Sequence, residues 1–121
     1  MFPVCVQTLY VRDLARAVDF HAHALGYQVE ATFGDCIAQL VTHDMVLVIQ
    51  QIEDDDPIEP GTVLAYQVDD IHDAADRVRA AGGTLLHEQP VRCPVGWVIR
   101  FRDPAGIVHE LLQFDEEVEA G

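Results

Sequence analysis

Basic side chains are scarce in this sequence. Seven stand against 21 acidic residues among 121, a formal net charge of −14. Such a field repels phosphate backbones and anionic lipid headgroups and attracts cations, which argues against nucleic acid as a partner and favours ligands of positive charge. Part of the excess is accounted for by a solvated linker, "EDDD" at 53–56, and an acidic tail, "DEEVEAG" at 115–121. Cysteine is sparse too. Cys5, Cys36 and Cys93 are odd in number and form no CxxC pair, so neither a disulfide framework nor a zinc knuckle is expected, and a reducing cytoplasm is the expected compartment. No segment approaches the roughly 20 apolar residues of a membrane span, and "MFPVCVQTLYVRD" lacks a basic stretch followed by a long apolar run. A soluble, unprocessed protein with no membrane partner is expected. A phosphate-cradling glycine loop is also missing, since "AAGG" at 80–83 closes a helix where such a loop would open one.

Half of the residues are hydrophobic, enough at this length for one compact core. Residues 4–11 read as a strand, and "RDLARAVDFHAHALGY" follows with Leu14, Ala17, Val18, His21 and Leu25 at helical spacing and Phe20 nearer the flank. Asp13 caps that helix and Gly26 ends it. Strands follow at 27–33, 36–42 and 45–51, with "THD" as the last turn, making a β-α-β-β-β unit. The pattern then repeats: a strand at 62–69, a helix opened by Asp70 and closed by Gly82 or Gly83, and strands at 84–88, 96–102 and 107–114. Val11, Asp13 and Gly26 meet Val68, Asp70 and Gly83 at a constant offset of 57 residues, the mark of an internal duplication. One domain over 1–121 is therefore expected: module one at 4–51, a proline-containing linker at 52–61, module two at 62–114, and a tail at 115–121.

The stretches "YVRDLARAVDFHAHALGY", "VDDIHDAADRVRAAGG" and "VGWVIRFRDPAGIVHEL", in this order, resemble the vicinal oxygen chelate superfamily of glyoxalases, extradiol dioxygenases and bleomycin-resistance-type proteins. The resemblance implies an α+β fold in which two β-α-β-β-β modules form a curved, cup-shaped mixed sheet. Metal-dependent members place four ligands on four strands. The matching positions here are Val6, Leu47, Val63 and Glu110, of which only Glu110 can donate to a metal. One carboxylate does not hold a divalent ion, so no metal and no cofactor are expected. His21 and His23 are two apart on a helix and share no face, and the family usually carries Tyr at the position of His21. His43, His72, His87 and His109 are isolated in sequence; His109 alternates with Glu110 and should face the helix or an interface. Cys93 has no identified base beside it.

Within the superfamily, "QTLYVRDLARAVDF" and "EQPVRCPVGWVIRFRDPAGIVHE" are most similar to the metal-free bleomycin-resistance branch. That likeness implies a cytoplasmic homodimer that sequesters an aromatic or cationic natural-product drug, unchanged, in a cleft at the subunit boundary. Val6, Thr8 and Tyr10 share one face of the first strand, and Val63, Ala65 and Gln67 share one face of the fifth, both being faces that the family turns inward. With Leu47 they make an apolar lining, while Tyr10, Phe33 and Trp97 offer flat surfaces and Glu110 a partner for a ligand cation or donor. Tyr66 and Phe101 read as helix-facing core, and Arg100 as a solvated edge residue. Ala65 and Gln67 stand where bleomycin binders carry a further tryptophan, a departure that favours another flat natural product over bleomycin as the expected ligand. The alternative is a lyase, isomerase or dioxygenase of the same superfamily, with a metal or with Glu110 as general base.

Overall fold

The computed structural model describes residues 1–116. The expected acidic tail therefore lies, beyond Glu116, outside the described residues. The chain is α+β and divides into two compact units, Val6–Val63 and a second one in which Met1–Cys5 joins the residues from Leu64 onward.

The first unit holds most of β1 (Val4–Val11), then α1 (Leu14–Leu25), β2 (Val29–Phe33), β3 (Ile37–Leu40) and β4 (Val46–Gln51). Its strands lie in the order β2-β3-β4-β1, antiparallel except for the parallel pair of β1 and β4. Local chemistry sets the helix ends. The Asp13 carboxylate accepts from the Arg16 N–H at 3.1 Å, and Gly26, at φ 79°, turns the chain into the left-handed region that a side chain disfavours. Alternation along the strands puts Leu9, Ile49 and Ala38 in one row on the face beneath α1, where Ile49 is fully buried.

The second unit carries most of β5 (Gly61–Gln67), then α2 (Ile71–Ala80), β6 (Thr84–Leu85), β7 (Val91–Cys93), β8 (Gly96–Arg102) and β9 (Val108–Phe114). The order is β5-β9-β8-β6, with β7 also paired to β8 and with β5 parallel to β9. Its core is Val68, Ile71, Ala74, Ala75, Ile99 and Leu111, so α2 buries its small-residue stripe against the middle of β8 and β9. The segment before Val6 belongs here: the Pro3 carbonyl accepts from the Gln67 N–H at 2.8 Å, and the Cys5 thiol lies 3.6 Å from the Ala65 carbonyl.

The two units repeat one strand arrangement, and a paired device repeats with it. Gln51, ending β4, accepts the Leu14 N–H through its side-chain carbonyl at 2.9 Å; Gln113, near the end of β9, accepts the Ile71 N–H at 2.8 Å. In each module a strand-end glutamine thus satisfies one of the orphan amides of the helix N-terminus. Gln51→Ala and Gln113→Ala should each lower stability by about 1 kcal/mol, read as a shift of the urea midpoint with an unchanged m-value.

Several expectations are corrected. The strand expected at 84–88 is only Thr84–Leu85, and β7 at Val91–Cys93 was not anticipated. Three residues between Pro90 and Pro94 are too few to show an alternating pattern, and their pairing comes from the neighbouring β8. The α2 cap is Ala81, just before the two glycines expected to end the helix.

Candidate functional site

In the second unit the period of two separates the sides of β9. His109, Leu111 and Gln113 point to α2, as core membership and the helix cap show, while Val108, Glu110 and Leu112 point away from it. Glu110 lies opposite Arg100 on β8 and Ala65 on β5; Leu112 lies opposite Val98 and Gln67. The face away from α2 therefore collects Ala65, Gln67, Glu110 and Arg100 beside Val98 and Leu112, with Arg102 and Phe114 towards its ends.

Glu110 is 4% exposed, and its Oε2 accepts from Arg100 Nε at 2.8 Å. A carboxylate removed from water this far needs a charged partner, and Arg100, part-buried beside it, is one. Arg100 is itself held from behind. Its backbone N–H donates to His87 Nε2 at 3.1 Å, while His87 Nδ1 is 2.8 Å from the Gln89 carbonyl. Together the two contacts assign the Nδ1–H tautomer. Arg100, expected as a solvated edge residue, is the counter-ion of the buried acid. His87, expected to be isolated, braces the strand that carries it.

These residues do not fit a divalent metal. Glu110 is engaged by a guanidinium, Val6 and Val63 offer no donor atoms, and among the described residues no three His, Cys, Asp or Glu side chains gather where an ion could sit.

Other expected site residues fall as follows. Val6, Thr8 and Tyr10 lie on the face of the first unit away from α1. Phe33 joins them through the row Phe33, Ile37, Gln50 and Tyr10. Thr8 and Tyr10 are buried, and so is Val63. Leu47 is on the opposite face, beneath α1 with Ile49 and the capping Gln51. The correction is one of register. The glutamine caps align β4 with β9 so that the counterpart of Glu110 is Val48, and a shift of one residue along a strand reverses the face. Trp97 is likewise not beside Glu110. It lies opposite Gln113 on the α2 side of β8, 39% exposed, with the Arg92 guanidinium 5.2 Å from its ring centre. Arg92 also holds Asp115 through two bonds of 2.7 and 2.6 Å, and these hold the Asp115 carboxyl below its usual range. His21 and His23 each bring the ring Nδ1 to the backbone carbonyl one turn earlier on α1, and His23 Nδ1 also lies 3.6 Å from the Asp19 carboxylate.

A second polar cluster on the α2 side was not foreseen. His109 Nε2 lies 2.8 Å from Asp103 Oδ2 and its Nδ1 lies 3.0 Å from the Tyr66 hydroxyl, with Phe101 stacked on the ring at 5.2 Å. Asp103 also accepts from the Ala105 and Ile107 N–H groups and so locks the turn between β8 and β9. The His109 hydrogen bond, then the Ile107 N–H, hold the Asp103 carboxyl below its ordinary 3.8. A carboxyl lowered by folding stabilises the fold above the unfolded value, and that contribution fades as pH falls through the lower folded one. The melting temperature of the natural protein should therefore fall more steeply than that of Asp103→Asn below about pH 4, and the two curves should converge. Parallel curves over that range would remove the role of this carboxylate.

The comparisons with known proteins follow the same lines. The sequence pattern described as Glyoxalase/Bleomycin resistance protein/Dioxygenase superfamily matches residues 4–111. No curated protein matches the chain. Among solved structures, a Streptomyces coelicolor methylmalonyl-CoA epimerase variant in complex with 2-nitronate-propionyl-CoA is similar at TM-score 0.77 and 19% identity, covering 96% of each chain. The Mycobacterium tuberculosis methylmalonyl-CoA epimerase is similar at TM-score 0.70 and 21% identity, covering 98% of this chain and 91% of that one. A superfamily member from Vibrio splendidus 12B01 is similar at TM-score 0.63 and 20% identity, covering 93% and 99%. At these identities the likeness is one of fold. With the family pattern spanning both modules and the fold shared with these structures, the chain belongs to the glyoxalase/bleomycin resistance protein/dioxygenase superfamily, the vicinal oxygen chelate proteins.

Proposed function

We propose that this protein binds a small organic molecule without a metal and releases it unchanged, as a sequestering antibiotic-resistance protein does. The observation that carries the reading is the 2.8 Å contact between Arg100 Nε and Glu110 Oε2. Where a metal-dependent relative would need a free carboxylate, this chain has an ion pair among aliphatic neighbours. Such a pair presents an acceptor and a donor in fixed positions, suited to a ligand that carries a donor or cation on a flat, largely apolar body. Ala65, Gln67 and Glu110 are the proposed contacts, and the acidic surface favours cationic natural products. A homodimer in the cytoplasm is the proposed state.

The test is a thermal-shift screen against a panel of aromatic and cationic antibiotics, with and without EDTA, followed by mass spectrometry of the recovered compound. A stabilising compound recovered intact, with the same shift in chelator, supports the reading. Consumption of the compound, or a shift that chelator abolishes, favours the alternative: a glyoxalase-like lyase, isomerase or dioxygenase. The fold shared with methylmalonyl-CoA epimerases makes methylmalonyl-CoA a necessary member of the panel.

A further inference from the structure

A cavity of about 570 Å³ lies within the first unit, on the α1 side of its sheet. It opens where α1 stops at Leu25. Gln7 and Leu47, both on the face beneath the helix, line it together with the chain at Leu25–Gln28 and the connection Val41–Met45 between β3 and β4. That connection is braced by the Thr42 hydroxyl, which donates to the Met45 carbonyl at 2.6 Å. The volume is within the range of small-molecule sites. None of the residues proposed above to contact a ligand in the second unit takes part in it.

Its chemistry has a sign. None of the chain's seven arginines lines the cavity, and the sequence has no lysine. Asp44 supplies a carboxylate, Gln7 and Gln28 supply amide acceptors, and the C-terminal end of α1 adds the negative pole of the helix dipole. Against these stand Leu25, Val41 and Met45, which are 58%, 43% and 37% exposed at the same place. Exposed aliphatic side chains beside the Asp44 carboxylate and a helix C-terminus, with the His43 imidazole as the basic side chain in the lining, suit one kind of guest. We propose that this cavity is a binding site for a small organic cation, an amine carried on a compact alkyl or aryl body, with the ammonium at Asp44 and the helix end and the body on Leu25, Val41 and Met45.

The test uses the full-length protein labelled with ¹⁵N and three probes of one shape: phenethylamine, 2-phenylethanol and 3-phenylpropionate. Saturable amide shifts at residues 25–28 and 41–47 are expected with the amine, binding at least fivefold more tightly than either analogue. Asp44→Asn should weaken the amine by about fivefold, the upper range for an exposed ion pair. Equal affinity for the three probes, an unchanged affinity in Asp44→Asn, shifts confined to other residues, or no saturable shift would each overturn the proposal. Shifts around residues 98–112 report instead on the face bearing Glu110, so the two sites are read separately.

Discussion

Arg100→Ala should destabilise the protein by about 3–5 kcal/mol, the cost of removing one member of a buried ion pair. Glu110 is 4% exposed on a middle strand between β5 and β8, so its carboxylate has little access to water. Removing the acid as well should reverse most of the loss. The double variant Arg100→Met with Glu110→Leu replaces the ion pair by apolar groups of similar bulk and should unfold within about 1 kcal/mol of the natural protein. Chemical denaturation of Arg100→Met, Glu110→Leu and the double variant gives the coupling directly. If Arg100→Ala and the double variant lose the same amount, the pair is not the polar centre of this face. The cycle also separates stability from binding, because a stable double variant that no longer responds to ligand assigns the pair to recognition.

Gly96→Ala should cost about 3 kcal/mol, the upper end for overpacking, and lower the melting temperature by roughly 10 °C. Gly96 pairs with Phe114 at the start of β8, and a Cβ there would overlap the Gln113 carbonyl oxygen, with the Gln113 carbonyl carbon and Phe114 Cα each 2.9 Å away. The obstacle is backbone, which cannot rotate aside as a side chain does, so β8 and β9 would have to part at this end. The same movement would pull Gln113 from the α2 N-terminus. Loss of protection of the Ile71 amide in hydrogen exchange should accompany the fall in stability, because that amide is held by Gln113. A Gly96→Ala protein as stable as the natural one would show that the close approach of the two strands is not required.

Much of this fold is legible in the sequence because the duplication states it twice. Asp13 and Asp70 at helix starts, with Gly26 at a helix end, are strong local signals, and the first module reads correctly as β-α-β-β-β, while the second carries one further strand, β7, after its helix. What could not be read was register. Matching Leu47 to Glu110 pairs Gln50 with Gln113, whereas the helix caps pair Gln51 with Gln113; that single residue moves the counterpart of Glu110 from Leu47 to Val48. Nothing in the composition of an aliphatic strand marks which neighbour faces the helix. Trp97 illustrates the same difficulty. It is an odd number of residues from Arg100, so the two cannot share a face of β8, and the hairpin turn at Asp103–Gly106 already fixes Arg100 opposite Glu110. That signal was present in "RFRDPAGIVHE" and identifies the counter-ion once the turn is counted through. The link from Asp103 through His109 to Tyr66 had no comparable cue, because Tyr66 is 43 residues from His109 in sequence.

Elemental analysis of freshly purified protein tests the central claim most directly. The ion pair at Glu110 predicts far less than one equivalent of any divalent metal per chain, with thermal stability unchanged by EDTA. A tightly held equivalent of zinc, manganese, iron or nickel that is lost in Glu110→Gln would contradict it.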